Sequence, residues 1–137
     1  PGDATDYGFV RERVVRDASK FDCYGVNADF LFQGGQLVSE LIEEGVPVQA
    51  MRQGFISYAL PMREFERLLL ERRLHHGGNP IMRWMADNIV VKIDTTGNLK
   101  PDKEKSREKI DGIVALAMAL EVWAKDQEPG GPLVAWV

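Results

Sequence analysis

The segment from Lys105 to Ala124, KSREKIDGIVALAMALEVWA, is the feature that most restricts how this chain can fold. It joins a basic start to a long apolar body, and no proline interrupts it before Pro129. Ser106 is a candidate N-cap, so the pattern predicts one helix from about this residue onward. Apolar residues recur on more than one side of the helix, which predicts that it is largely buried.

Asp111 is the acidic residue within this apolar segment. Spacings of four, seven and eleven residues place it on one helix face with Ala115, Met118 and Val122. A buried carboxylate is costly unless a cation or hydrogen-bond donors contact it. Two interpretations are open: a salt bridge with Lys105 or Lys109, or a role as ligand of a metal ion.

Length and composition narrow the class of protein. With 137 residues, 45% hydrophobic and 28% charged, the chain is expected to form a globular domain. One cysteine, Cys23, excludes an internal disulfide framework and is compatible with a reducing cytosol. No apolar run approaches the ~20 residues of a membrane span. The net charge of −4 does not indicate general affinity for nucleic acid, although a local basic face is compatible with it.

Helical and strand patterns alternate along the first part of the chain, which predicts an α/β layer with a parallel sheet. Residues 21–29 are predicted as a strand that ends at Asp29, and residues 46–51 as a second strand. Pro61 suits the first turn of a later helix. Further on, the TTGN sequence predicts a hairpin turn, to which Asp94 belongs.

The position of Asp29 connects this sheet to possible chemistry. Ligands of open parallel sheets gather beyond the carboxyl ends of the strands, where Asp29 is expected. If the last helix packs at the same edge, Asp29 and Asp111 approach each other, and two carboxylates suit Mg²⁺ or Mn²⁺. The alternative is that Asp29 is simply a polar residue at a strand end.

Three segments carry a resemblance to a known family: ELIEEGVPV, RQGFISYALPMREFERLLLERRLHHGGNPIMRWMADN and KSREKIDGIVALAMALE. In order and spacing they resemble the C-terminal nuclease domain of tailed-phage terminase large subunits, of the HK97-like subgroup. The resemblance covers roughly residues 6–121. It implies an α/β, RNase H-like fold, a mixed sheet flanked by helices.

The resemblance also assigns the acidic residues. Of the family's three carboxylates, the second corresponds to Asp29, with Asn27 as the other candidate position, and the third to Asp111 within KIDG. The first carboxylate and its strand are expected upstream of Pro1, so the chain is expected to hold a partial nuclease domain in residues 1–126. Residues 127–137 are expected to be a C-terminal tail.

The implied activity is metal-dependent endonucleolytic cleavage of concatemeric viral DNA in the cytoplasm of a bacterial host. It implies Mg²⁺ or Mn²⁺, two ions in an intact site, with viral double-stranded DNA, the ATPase domain, the portal and the small terminase subunit as partners, and no membrane. The expected DNA contacts are Lys103, Lys105, Arg107 and Lys109, unless this charge run is merely a solvated surface. The alternative function is a non-catalytic module that docks the packaging motor on DNA or portal.

Overall fold

The computed structural model of the protein describes residues 6–21, 23–29 and 35–126. Helices and short strands alternate through these ranges, as expected for an α/β protein. In chain order they are α1 (Tyr7–Lys20), β1 (Val26–Ala28), α2 (Gly35–Glu43), β2 (Val48–Ala50), α3 (Phe55–Leu70), α4 (Pro80–Asn88), β3 (Val91–Ile93), β4 (Leu99–Pro101) and α5 (Asp111–Asp126). The chain divides into two compact units, an N-terminal unit up to Arg52 and a C-terminal unit from Gln53.

The N-terminal unit contains the predicted parallel strand pair. β1 pairs with β2 in register from Val26 opposite Val48 to Ala28 opposite Ala50. α2 forms the crossover and ends at Glu43, and Gly45, two residues later, has a φ of 82° that suits glycine. There Val46 N–H donates to the Leu41 carbonyl and Gly45 N–H to that of Ile42, the two bonds of a Schellman motif. This sharp end returns the chain to the sheet, and β2 then runs parallel to β1.

The core of the C-terminal unit forms where α3 and α4 pack against α5. Its buried residues come mainly from α3 and α5 and the residue before α5: Tyr58, Met62, Leu68, Ile110, Ile113, Val114, Ala117, Leu120, Val122 and Ala124. The prediction that the last helix is largely buried is thus confirmed. Pro61, in contrast, lies inside α3 and not in its first turn, because that helix already begins at Phe55.

The predicted hairpin joins β3 to β4, which pair antiparallel from Val91 opposite Pro101 to Ile93 opposite Leu99. Asp94 closes the turn: its Oδ1 accepts from the backbone N–H groups of Thr96 at 2.9 Å and Asn98 at 2.8 Å. Its Oδ2 accepts from the Asn98 side-chain amide at 3.0 Å. The predicted role of Asp94 in the turn is confirmed.

These donors lower the pKa of Asp94 from 3.8 to about 2, the Asn98 side chain having the largest effect. Because the pKa is lowered on folding, the stabilisation is present above pH 3.8 and is lost as the pH falls through about 2. As the pH falls from 3.8 to about 2, we expect the free energy of unfolding to decrease less in Asp94→Asn than in the wild type. Urea denaturation at several acidic pH values measures the difference. Asp87→Asn, on the exposed side of α4, is the control and should follow the wild type.

Two expectations concern the limits of the domain and its surroundings. The tail assigned to residues 127–137 lies outside the described residues, so its separation from the domain stays a prediction. No helix in the described ranges combines the length and the apolar composition needed to cross a membrane.

Candidate active site

Asp111 is the first residue of α5. Its side chain is 63% exposed, so the expectation that it lies on a buried face is wrong. The helical period alone does not give this result, because Val122 lies only about 20° around the axis from Asp111 and is buried. Ala115, on the same face but closer to the start of the helix, is exposed, so this face is open to solvent only where α5 begins. The carboxylate is therefore accessible, and at the helix N-terminus its negative charge is favoured.

Lys103 is the cation that pairs with Asp111. Its Nζ donates to Asp111 Oδ1 at 2.8 Å. The salt bridge expected with Lys105 or Lys109 is thus made by a different lysine. The hydrogen bond from Lys103 lowers the pKa of Asp111 and has the largest effect. Burial raises this pKa by a smaller amount, and the positive charge of Lys109 lowers it further.

The β4–α5 loop, residues 102–110, carries Lys103 to this position. Its backbone is held by Asp102, whose Oδ1 accepts from the N–H groups of Glu104 at 3.1 Å and Lys105 at 3.3 Å. Ser106 Oγ donates to the Asp102 carbonyl at 2.6 Å and accepts from Val90 N–H. Ser106 is consequently a loop residue that ties the loop to the start of β3, and not the N-cap predicted from its place before the apolar run.

Asp102 is buried, with 2% of its surface exposed, and was not identified from the sequence. Burial raises its pKa, but the ion pair with Lys92 at 3.2 Å and the two backbone donors outweigh this effect and lower it overall. Its Oδ2 accepts no hydrogen bond from the described residues. In such turns an aspartate side chain typically accepts from the backbone N–H groups two and three residues later. The sequence PDKEK has Asp102 in that position.

We expect Asp102→Ala to loosen the β4–α5 loop. The change removes the acceptor of two backbone N–H groups, so amide exchange at Glu104 and Lys105 should accelerate by about tenfold. Hydrogen-exchange NMR measures this effect, and thermal denaturation should show a lower midpoint. Lys92→Met removes the ion pairs of Lys92 with Asp102 and Glu104 but keeps the Asp102 acceptor, so it is the control and should leave these two amides protected. Equal exchange in both variants would contradict the assigned role.

Gly112 brings α4 against the first turn of α5. Its backbone N–H donates to Met85 Sδ at 3.2 Å. A Cβ at this position would lie 2.8 Å from Met85 Sδ and 2.9 Å from Met82 Sδ. The glycine of the KIDG motif thus permits the close approach of α4 that helps to position Asp111.

The four basic residues expected to contact DNA are all exposed in the β4–α5 loop: Lys103, Lys105, Arg107 and Lys109. They lie in the segment that leads to Asp111, directly before the first turn of α5. Glu104 and Glu108 lie between them and are also exposed. Their contact with DNA stays a prediction.

Asp29 directly follows β1, at the carboxyl end of the parallel pair, as the sequence predicted. It is half-buried. Asn27, the other candidate position, lies within β1, and its side-chain amide donates to Met51 Sδ at 3.5 Å. Asp29 therefore occupies the strand-end position and Asn27 the strand itself. The assignment of Asp29 and Asp111 as catalytic metal ligands stays a prediction.

The chemistry of these donors suits a hard cation. Carboxylate oxygens are ligands of Mg²⁺ and Mn²⁺, and Mg²⁺ is commonly held by one or two carboxylates with water and substrate phosphates completing the shell. Among the residues that the structure describes, no three His, Cys, Asp or Glu side chains form a group that could hold a metal ion.

Comparison with known proteins gives a consistent assignment. The family described as "Terminase large subunit, endonuclease domain" matches residues 6–128. The chain is 34% identical over 122 residues to Protein YmfN of Escherichia coli (strain K12), covering 87% of this chain and 26% of that protein. It is 31% identical over 121 residues to the terminase large subunit of Enterobacteria phage HK97, covering 88% and 24%.

The fold agrees as well. The crystal structure of the HK97 bacteriophage large terminase matches with a TM-score of 0.78 and 32% sequence identity, over 88% of this chain and 26% of that one. The predicted RNase H-like α/β class is thus confirmed. The chain spans about a quarter of the length of these relatives. It belongs to the family of terminase large subunit endonuclease domains.

Proposed function

We propose that this chain is the nuclease part of a viral DNA-packaging terminase and hydrolyses DNA phosphodiester bonds in a metal-dependent reaction. The observation that carries the proposal is Asp111, a solvent-accessible carboxylate in the first turn of α5, within a segment matched by the endonuclease-domain family. An exposed carboxylate at a helix N-terminus stays ionised near neutral pH, as a cation ligand must.

Asp111 and Asp29 would hold Mg²⁺ or Mn²⁺, with two ions in an intact site. A bound ion of this kind supplies activated water and stabilises the charge of a phosphodiester transition state. The chain itself would supply anionic oxygens at two positions. Asp111 lies at a helix terminus against which α4 packs, and Asp29 lies at a strand end.

The β4–α5 loop would contact the substrate. Its lysine and arginine side chains are exposed and suited to phosphate oxygens, which supports double-stranded viral DNA as the ligand. Because the relative from phage HK97 is a terminase large subunit, the further partners we propose are the ATPase domain, the portal and the small terminase subunit. The reaction would take place in the cytoplasm of the bacterial host.

A second candidate is a non-catalytic module that docks the packaging motor on DNA or portal. It is favoured by one observation: the described residues contain no group of three metal donors. Such a module would retain the basic loop and bind DNA without cutting it.

A chimaeric terminase separates the two functions. Residues 6–128 replace the matching segment of the HK97 large terminase, and both proteins are incubated with supercoiled plasmid and Mn²⁺. The nuclease proposal expects Mn²⁺-dependent nicked and linear DNA from the chimaera. If the HK97 protein cuts and a folded chimaera only retards the plasmid in a gel, the chain is a docking module.

A further inference from the structure

We propose that Lys103 is a placeholder cation: it neutralises Asp111 while no metal is bound, and a divalent ion displaces it and frees it to contact DNA phosphate. This inference deepens the proposed function and rests on it, since it requires that Asp111 bind the metal. It makes metal binding and DNA binding at the β4–α5 loop interdependent.

The ion pair has the properties that such an exchange requires. Lys103 Nζ lies 2.8 Å from Asp111 Oδ1, so it occupies one of the oxygens that a metal would use. The two side chains are 58% and 63% exposed. Ion pairs exposed to this degree contribute little because water and salt screen them, so a divalent ion can replace the ammonium group.

The backbone of the loop keeps Lys103 close to Asp111 without immobilising its side chain. Asp102, the preceding residue, is buried, accepts from the amides of Glu104 and Lys105, and pairs with Lys92. The Lys103 side chain extends from this anchored point into solvent. Its four-carbon chain lets the ammonium group leave Asp111 while the loop stays in place.

The released ammonium group would remain next to the site of catalysis. It would add one phosphate contact at the moment when the metal is bound, beside the exposed side chains of Lys105 and Arg107. Metal binding therefore strengthens DNA binding by releasing Lys103 from Asp111. Because the coupling between two binding sites is reciprocal, DNA binding strengthens metal binding by the same factor. In the absence of metal, Lys103 stays paired and the DNA contact is weaker.

The test measures binding of Mn²⁺ alone to the 137-residue protein, from the EPR signal of the free ion. We expect Lys103→Met to bind Mn²⁺ about two- to fivefold more tightly than the wild type, as removal of an exposed competing pair predicts. Lys105→Met is the matched control, with the same loss of charge from the same loop, and should change the affinity less. Asp111→Asn should lose the binding.

Three outcomes separate the inference from the proposed function. Tighter binding in Lys103→Met than in Lys105→Met supports the inference. Equal or weaker binding in Lys103→Met, with loss in Asp111→Asn, overturns the placeholder role and leaves the metal site standing. Binding that is the same in all four proteins, or absent from all of them, overturns the metal site and the inference with it.

A second measurement follows Lys103 in the unmodified protein. ¹⁵N NMR of the lysine Nζ groups, with Mg²⁺ as the diamagnetic ion, should show the Lys103 signal move toward that of a solvated lysine during titration. A Lys103 signal that does not respond, while backbone signals at Asp111 shift, would overturn the proposal.

Discussion

Asp111→Ala is expected to lower the Mn²⁺-dependent rate of plasmid nicking by at least about a hundredfold in the chimaeric terminase. The reason is that a carboxylate ligand helps to hold an ion that supplies several kcal/mol of transition-state stabilisation. The fold should survive, because the side chain is 63% exposed and its ion-pair partner, Lys103, is exposed as well. Its interaction with the helix dipole and Lys103 contributes at most about 1 kcal/mol to stability.

The matched control is Asp126→Ala, at the last residue of the same helix. Asp126 is also an exposed aspartate, but it lies at the carboxyl end of α5, away from the KIDG segment. This variant should nick plasmid at the rate of the unmodified chimaera. Cleavage that persists in Asp111→Ala would remove Asp111 from the catalytic site, and equal losses in both variants would indicate a general effect on the helix.

Ile110→Ala is expected to lower the free energy of unfolding by about 2–5 kcal/mol, since it leaves a cavity at a fully buried position. Ile110 is 2% exposed and belongs to the largest buried side chains described. Its carbonyl also accepts from the N–H groups of Ile113 and Val114, so it stands where the core meets the start of α5. Urea denaturation measures the change, with the midpoint shifted and the slope unchanged.

Ile56→Ala provides a control with the same chemical change. Ile56 lies in the first turn of α3 and is 89% exposed, so its truncation should alter stability by no more than about 0.5 kcal/mol. A similar loss in both variants would contradict the assignment of Ile110 to the core. Because Ile110 directly precedes Asp111, its variant should also weaken Mn²⁺ binding.

Local signals in the sequence predicted most of the elements. The TTGN turn and Asp94 were identified because turn residues act within four positions of one another. Gly45, just after α2, likewise takes the positive φ that such a helix end requires. Parallel pairing of the two strands followed from the helix between them. These features depend on neighbouring residues, which the sequence displays directly.

The start of the last helix was predicted incorrectly, and with it the burial of Asp111. Ser106 has the chemistry of an N-cap, but its hydroxyl is engaged with the Asp102 carbonyl and the Val90 amide. Ala115 counts as apolar in a pattern, yet it is exposed, whereas Val122 on the same face is buried. Periodicity therefore identified which residues share a face, but it does not show that burial of that face begins only after the first turns of α5.

By itself, the sequence determined the α/β class and the buried helix, because these follow from short-range periodicity. The family and the assignment of the two carboxylates worth testing came from the resemblance that three segments of the sequence carry. Only the tertiary structure decided that Asp102 is buried, that Lys103 pairs with Asp111, and that Gly112 admits the methionines of α4. These facts depend on the path of the β4–α5 loop and on the packing of α4 against α5. Contacts between residues of separate elements depend on how those elements pack in three dimensions, and local sequence patterns do not contain that information.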